Sequence, residues 1–194
     1  MSVQREGFPP VRQQILVSGV GGQGVLFITR LLADAAIRMG APVLTSETHG
    51  MAQRGGVVVS HLKVGDFASP LIRAGRADGL IALKNENLAL HLRFLKPTGW
   101  AAVNARSAPP AERDIAVHAV DADGLAERSG NPQAVNILLL GFALSLPGLQ
   151  EAEGRLFCSA DDVRNALRRR LETKAGLLET SLRALDLGMF RGKR

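Results

Sequence analysis

Chemistry in this chain begins with a glycine loop. Gly19-Val20-Gly21-Gly22-Gln23-Gly24 follows the strand-forming run Ile15-Leu16-Val17-Ser18 and precedes an unbroken helical pattern to Met39. Glycine is needed where backbone takes positive φ or where a ligand must come within contact distance. A helix starting there aims unpaired N–H groups and its positive dipole end at that ligand, which favours an anion. Gly19, Gly21 and Gly24 satisfy the G-x-G-x-x-G spacing of dinucleotide-binding turns, in the strand-to-helix context that spacing requires. The same spacing serves a tight turn whose glycines only let helix and sheet pack closely, and composition leaves both uses open.

Around the loop, other reactive side chains are sparse. Glu47 follows Gly24 by 23 residues, a spacing at which a carboxylate can hold the ribose of a dinucleotide. That keeps a free-standing NAD(P)-binding dehydrogenase or nucleotide-binding module as an alternative, although no catalytic acid with an orienting partner accompanies it. The stretch from Glu47 through Thr48, His49, Gly50, Met51, Ala52, Gln53 and Arg54 to Gly55 and Gly56 is polar and glycine-rich. It reads as a functional loop. His49 and His61 are too widely spaced to hold a metal without further ligands. His61, inside a strand pattern, reads as a hydrogen-bonded, partly buried side chain, His91 as a residue of a solvated helix, and Cys158 as a core or helix-entry thiol. The chain has neither a G-x-S-x-G elbow nor a Walker lysine after the glycine loop. It looks like a ligand-binding module without chemical machinery of its own.

The elements that must position these residues follow from periodicity. Val25, Ile28, Leu32, Ala35 and Met39 fall at helical spacing, Gly40 ends the helix, and Val43 to Ser46 forms a second strand at the spacing of a βαβ unit. Further strands are expected over 57–64, 79–83, 100–104 and 114–120, with a short extended piece at 69–72 and a turn at Pro97-Thr98-Gly99. Helices are expected over 87–95 and 134–146, the latter ended by Pro147-Gly148. Ser159, with Asp162 three residues on, caps a last helical region whose stripe runs from Val163 through Leu167, Leu171, Leu178 and Leu182 to Leu185. Strands alternating with helices give an α/β fold, Rossmann-like and doubly wound, with a mainly parallel sheet and helices on both faces. One domain over 1–194 is expected, its C-terminal helices at 159–187 packing on it or on a partner.

Composition excludes several classes. A single cysteine cannot form an internal disulfide, nor hold an iron–sulfur cluster or structural zinc without ligands of other kinds, and it fits a cytoplasmic setting. No window approaches 18 uninterrupted apolar residues and the N-terminal stretch lacks an apolar signal core, so no membrane association is expected. The net charge of +6 comes mostly from residues 155–194, where ten Lys/Arg face five Asp/Glu, leaving +1 for the 154 residues before them. With the excess away from the glycine loop, no tyrosine and one tryptophan, nucleic acid is not the expected partner.

Three blocks then become specific in combination: the loop from Gly19 to Gly24, the stretch from Glu47 to Gly56, and Val59-Ser60-His61-Leu62 with Ser69-Pro70-Leu71-Ile72 behind it. In that order they resemble the gamma-type module of the 2-oxoacid:ferredoxin oxidoreductases. Within that family, members acting on indolepyruvate look most similar. The helix with Asn136 and Leu140-Gly141 is a weaker fourth match. The family decarboxylates a 2-oxoacid on thiamine diphosphate, passes electrons through iron–sulfur clusters to ferredoxin, and transfers the acyl group to coenzyme A. This chain lacks the Gly-Asp-Gly triplet that goes with magnesium diphosphate binding and has one cysteine. The resemblance therefore implies an accessory subunit. Thiamine diphosphate, magnesium and the iron–sulfur clusters would reside in a larger partner, ferredoxin would accept electrons from the complex, and indolepyruvate or another aryl 2-oxoacid would be the substrate. It also implies that Gly19, Gly21, Gly22, Gln23, Gly24, Arg54, Gly55 and Gly56 lie on the coenzyme A side, with Glu47, His49, Gln53 and His61 lining the active site. No catalytic residue and no metal ligand is implied within this chain.

Overall fold

The computed structural model describes residues 11–49, 55–108, 115–146 and 156–192. Its framework is a six-stranded sheet of β1 (Gln13–Val20), β2 (Val43–His49), β3 (Val57–Val64), β4 (Ala77–Ala82), β5 (Leu95–Asn104) and β6 (Ala116–Val120), in the order β2-β3-β1-β4-β5-β6. The pairs β1–β4, β4–β5 and β5–β6 are parallel, whereas β3 runs antiparallel to both β2 and β1. The βαβ connection from β1 to β2 thus steps over the position that β3 fills. The connections run to one side of β1 for β2 and β3 and to the other for β4, β5 and β6, so the switch point lies at the carboxyl ends of the parallel strands β1 and β4, where open α/β sheets bind ligands.

Helix α1 (Val25–Arg38) buries Val25, Ile28, Leu31, Leu32 and Ala35 on the sheet, the spacing that gives one apolar stripe. It ends at Gly40, whose φ of 76° lets the Ala41 N–H reach back to the Ala36 carbonyl at 3.0 Å. α3 (Ala122–Arg128), α4 (Val135–Leu144), α5 (Ala160–Arg170) and α6 (Ala175–Gly192) contribute to the same core cluster as α1. Among the described helices, α2 (Asn85–His91) and the 3-10 turn Leu92–Phe94 cover the other face, over Leu16, Leu80, Ala82, Ala101 and Val103. Helices therefore lie on both faces but unequally.

The C-terminal stripe is divided between two helices. α5 opens with a capping box in which Ser159 and Asp162 bond reciprocally. Val163, Leu167, Leu171 and Leu185 are buried in the main core, and Leu178 and Leu182 pack against it. α4 and α6 approach so closely that a β-carbon on Gly141 would meet the Leu185 carbonyl oxygen, and one on Gly188 that of Leu138.

Several local expectations need correction. Pro97-Thr98-Gly99 is no turn but part of β5, at an irregularity where the register against β4 shifts between Ala77 and Gly79. The piece at 69–72 does not join the sheet, because Ile72 instead donates its N–H to His61. α3, unforeseen, is capped by Asp121, which accepts the Gly124 N–H at 2.9 Å. Pro147, Gly148 and Asp114 lie outside the described residues. No described helix is long and apolar enough to cross a membrane.

Candidate functional site

The glycine loop leaves β1 at the switch point and is built mainly by its own atoms. Val20 donates its N–H to the Gln23 side-chain oxygen at 2.9 Å, and Gln23 returns its own N–H to the Val20 carbonyl at 3.1 Å. The Gln23 oxygen is thus committed to the turn. Gly22 and Gly24 have φ of 93° and 82°, the left-handed region that favours glycine. Gly19 faces inward, where a β-carbon would crowd Val25, the Gln23 side-chain oxygen and Leu83. Gly21 differs: its φ is not positive, and among the described residues a β-carbon there would find only the Gly55 nitrogen, at 3.7 Å. α1 has no side-chain cap and no acid in its first turn, so the helix itself supplies no carboxylate to its N-terminal N–H groups.

Gly22, Gln23 and Gly24 form one wall of a cleft of about 550 Å³ whose other wall is Pro132, Gln133, Val135 and Asn136, with Asp123 at its side. Asn136, in the first turn of α4, lies directly against Gly24 and accepts the Ile137 N–H at 2.8 Å. The beginnings of two helices thus border one cavity, as does a set of neutral amides. Among the described residues its lining includes no cation. This is a surface for a polar, extended ligand whose negative groups meet backbone N–H donors.

The second block meets the first through the backbone. Gly21 donates its N–H to the Gly56 carbonyl at 3.1 Å, and β3 starts level with the end of β1, Val57 opposite Val20. Gly55 and Gly56 are therefore brought to the loop. Gln53 and Arg54 lie outside the described residues. Glu47 is exposed on the edge strand β2, opposite Ser60, and His49 ends that strand opposite Val58. In a dinucleotide fold the acidic residue stands at the end of the strand beside β1. Here β3 takes that place, and β2 is two strand spacings away, about 9.6 Å.

His61 is not brought to the cleft. It sits four residues into β3, roughly 13 Å from the loop level, and is buried on the α2 face. Its Nδ1 accepts the Ile72 N–H at 3.2 Å, which puts the proton of the neutral ring on Nε2. His91 is likewise buried, contrary to the solvated helix expected for it. Its Nδ1 lies 2.8 Å from the Asn87 carbonyl oxygen, an acceptor only, and 3.1 Å from the Ser18 hydroxyl. Burial holds both imidazoles below their ordinary pKa, and the His91 ring adds to the lowering at His61. Cys158 is in the main core, its thiol pushed up by burial.

A residue that sequence reasoning missed is Asn104, at the carboxyl end of β5. Its side-chain oxygen accepts the N–H groups of Ala122 and Asp123 at 3.0 and 3.3 Å, and its amide nitrogen donates to the Leu83 carbonyl at 3.3 Å. It ties the ends of β4 and β5 to the start of α3, and so sets where Asp123 borders the cleft. The signal available was an asparagine closing an apolar strand run, where a side-chain amide can replace ladder partners.

Known proteins share this fold. A family model described as pyruvate ferredoxin/flavodoxin oxidoreductase matches residues 14–190. The indolepyruvate oxidoreductase subunit IorB of Archaeoglobus fulgidus is 33% identical, the alignment covering 92% of this chain and 94% of that one. The crystal structure of the gamma subunit of a keto/oxoacid ferredoxin oxidoreductase from Geobacter sulfurreducens is 25% identical with a TM-score of 0.73, over 93% of this chain and 98% of that one. A 2-oxoglutarate:ferredoxin oxidoreductase from Magnetococcus marinus, solved with 2-oxoglutarate, coenzyme A and succinyl-CoA bound, superposes with a TM-score of 0.75 at 20% identity. That superposition covers 96% of this chain and 32% of the longer one.

Proposed function

Given that the chain belongs to the pyruvate ferredoxin/flavodoxin oxidoreductase family, we propose that it is the gamma-type accessory subunit of a 2-oxoacid:ferredoxin oxidoreductase and forms the coenzyme A side of its active site. The complex oxidatively decarboxylates a 2-oxoacid, indolepyruvate or another aryl 2-oxoacid, to an acyl-CoA. The observation that carries this reading is the meeting of the two sequence blocks at the switch point, where Gly21 bonds Gly56 beside a cleft of helix starts and amides.

Coenzyme A suits that cleft. Its phosphates call for backbone N–H donors and a cation, and its pantetheine arm for neutral amide partners. In the proposed mechanism the loop from Gly19 to Gly24 and the Gly55-Gly56 backbone receive the phosphates, with Arg54 supplying the cation that the cleft lining lacks. A guanidinium grips phosphate through two parallel N–H bonds, a geometry lysine cannot reproduce. The Gln23 amide nitrogen, Gln133 and Asn136 orient the arm so that its thiol reaches the acyl group in the partner. The larger subunit brings thiamine diphosphate with magnesium, which supplies the decarboxylation, and the clusters that pass electrons to ferredoxin. This chain's donors do not fit those groups: its one thiol is buried, and no cluster of three His, Cys, Asp or Glu among the described residues could hold a metal. The domain spans 1–194 with α5 and α6 as part of it, and the assembly works in the cytoplasm without membrane or nucleic acid.

Reconstitution tests the assignment. The chain alone is expected to be colourless and inactive with a 2-oxoacid and a viologen dye, and to restore coenzyme A-dependent turnover when combined with its larger subunit. Turnover by the isolated chain, or tight saturable binding of NAD or NADP to it, would replace this reading with the dehydrogenase one.

A further inference from the structure

At the end of the sheet remote from the glycine loop, cations gather that have no acidic partner among the described residues. Arg12 precedes β1, Lys63 lies near the end of β3, Arg73 and Arg76 precede β4, and Arg93 precedes β5. They form one surface. Arg12 and Lys63 both stand over the Phe67 ring, at 4.3 and 5.0 Å from its centre, and Arg93 stands over Phe94 at 5.2 Å. The backbone joins the rest: Gly75 donates to the Arg93 carbonyl at 3.0 Å and Arg76 to that of Phe94 at 2.9 Å. Among the described residues, none of these five cations forms an ion pair. Asp66 is the lone acid between 60 and 76, and nearby Asp78 is held by Lys96 at 2.7 Å and by the Gln14 N–H. Lys63 has its stem buried, and its ammonium is held below the ordinary lysine range by burial and by Arg73 and Arg12. Three arginines of the basic C-terminal segment are, by contrast, neutralised: Arg164 by Asp161 and Asp186, Arg170 by Asp34, and Arg183 by Glu179.

We infer that this basic surface docks an acidic face of the larger subunit, an inference that rests on the accessory-subunit reading above. Its composition fits a protein partner. Leu71 and Leu90 are each about half exposed on the same side of the sheet, and arginine with apolar and aromatic neighbours is the make-up of protein interfaces. Phe67 and Phe94 have ring faces occupied by cations, which leaves those faces unavailable to stack bases. A second copy of this chain is disfavoured, because a two-fold contact would set like charges against each other. The gamma-type fold matches 32% of the longer Magnetococcus marinus chain, so the fold occurs covalently joined to a larger body; a separate chain must gain that attachment by contact. The surface lies a strand length from the cleft, about 24 Å, so it can be altered without touching the coenzyme A site.

The test is assembly of the full chain with its larger subunit, followed by calorimetry at low and high salt. The triple variant Arg12→Glu/Arg73→Glu/Arg76→Glu, all exposed positions, is compared with wild type and with Lys174→Glu, an exposed control between α5 and α6. Association of the triple variant is expected to weaken by about tenfold or more near 0.05 M salt, and wild type to weaken as salt rises, with the control unchanged. An Arg-to-Gln version of the triple variant, falling between the two, would separate lost attraction from introduced repulsion. Equal assembly of wild type and triple variant at both salt levels overturns the inference while leaving the subunit assignment intact. Failure of wild type itself to bind the larger subunit sinks the assignment. Binding of single-stranded RNA that the triple substitution abolishes, with assembly unaffected, would reassign the surface.

Discussion

A β-carbon placed on Gly24 would meet the side-chain amide of Asn136, so the glycine loop and the start of α4 are in contact across the mouth of the cleft. Gly24 also holds φ at 82°. The two constraints can be separated. The backbone conformation costs an L-residue roughly 1–2 kcal/mol, whereas the amide is the far end of a side chain that can swing away. Gly24→Ala is therefore expected to lower stability by about 1–2 kcal/mol, and Asn136→Ala in the same chain to recover little of it. Denaturant titration of both variants checks this. Full recovery in the double variant would show that crowding, not φ, fixes the glycine.

Gly141 is a second glycine with a different reason. In a helix interior, alanine normally gains about 1 kcal/mol over glycine. Here the new methyl would press on the Leu185 carbonyl of α6, a backbone atom that cannot rotate aside. Overpacking of this kind costs about 1–3 kcal/mol, so Gly141→Ala should destabilise on balance. A thermal melt should show the midpoint falling by a few degrees, at about 2–4 °C per kcal/mol for a chain of this length. A rise in midpoint would mean that α4 and α6 separate freely.

The buried imidazoles set a pH dependence. His61 and His91 are held below the ordinary value by burial, so near neutrality both are uncharged in the native state. As pH falls through about 6.5 the unfolded chain takes up protons that the folded chain refuses, and stability drops. The contribution is complete above that pH and is lost below it. Stability by denaturant titration should be lower at pH 5.5 than at pH 7.5, and the difference should shrink in His61→Gln, whose amide oxygen can still accept the Ile72 N–H. An unchanged difference would acquit His61.

The parts of this molecule that were legible in the sequence are the ones written locally. The glycine loop, the stripe of α1 and the Ser159 capping box each fit within a few residues, and all are present in the structure. Strand order was not legible, because the insertion of β3 between β2 and β1 depends on long-range pairings with β1, such as Gln13 with Val64. His91 was misplaced because α2 has seven residues, too few turns for periodicity to reveal which side is buried. Pro97 and Gly99 are ordinary turn signals, and only the partner strand β4 shows them to be a strand irregularity. Which charges pair was not legible for the same reason. The sequence shows a basic tail, whereas folding pairs three of that tail's arginines and gathers Arg12, Lys63, Arg73, Arg76 and Arg93 elsewhere.

The central claim is that the glycine loop receives coenzyme A through its backbone, and Gly21 tests it most directly. Its φ is not positive and a β-carbon there has room among the described residues, so Gly21→Ala should change stability by no more than about 0.5 kcal/mol. On this claim, what the methyl occupies is the space a phosphate needs. The measurement is the coenzyme A dependence of steady-state turnover in the reconstituted complex, for Gly21→Ala beside Arg54→Ala, with the 2-oxoacid saturating. One lost charge-assisted bond is worth about 1.5–3 kcal/mol, so the KM for coenzyme A should rise about ten- to a hundredfold in each. Thermal stability and the KM for the 2-oxoacid should stay at wild-type values. An unchanged KM for coenzyme A in both variants, whatever happens to stability, would contradict the claim and leave the glycines as a packing device.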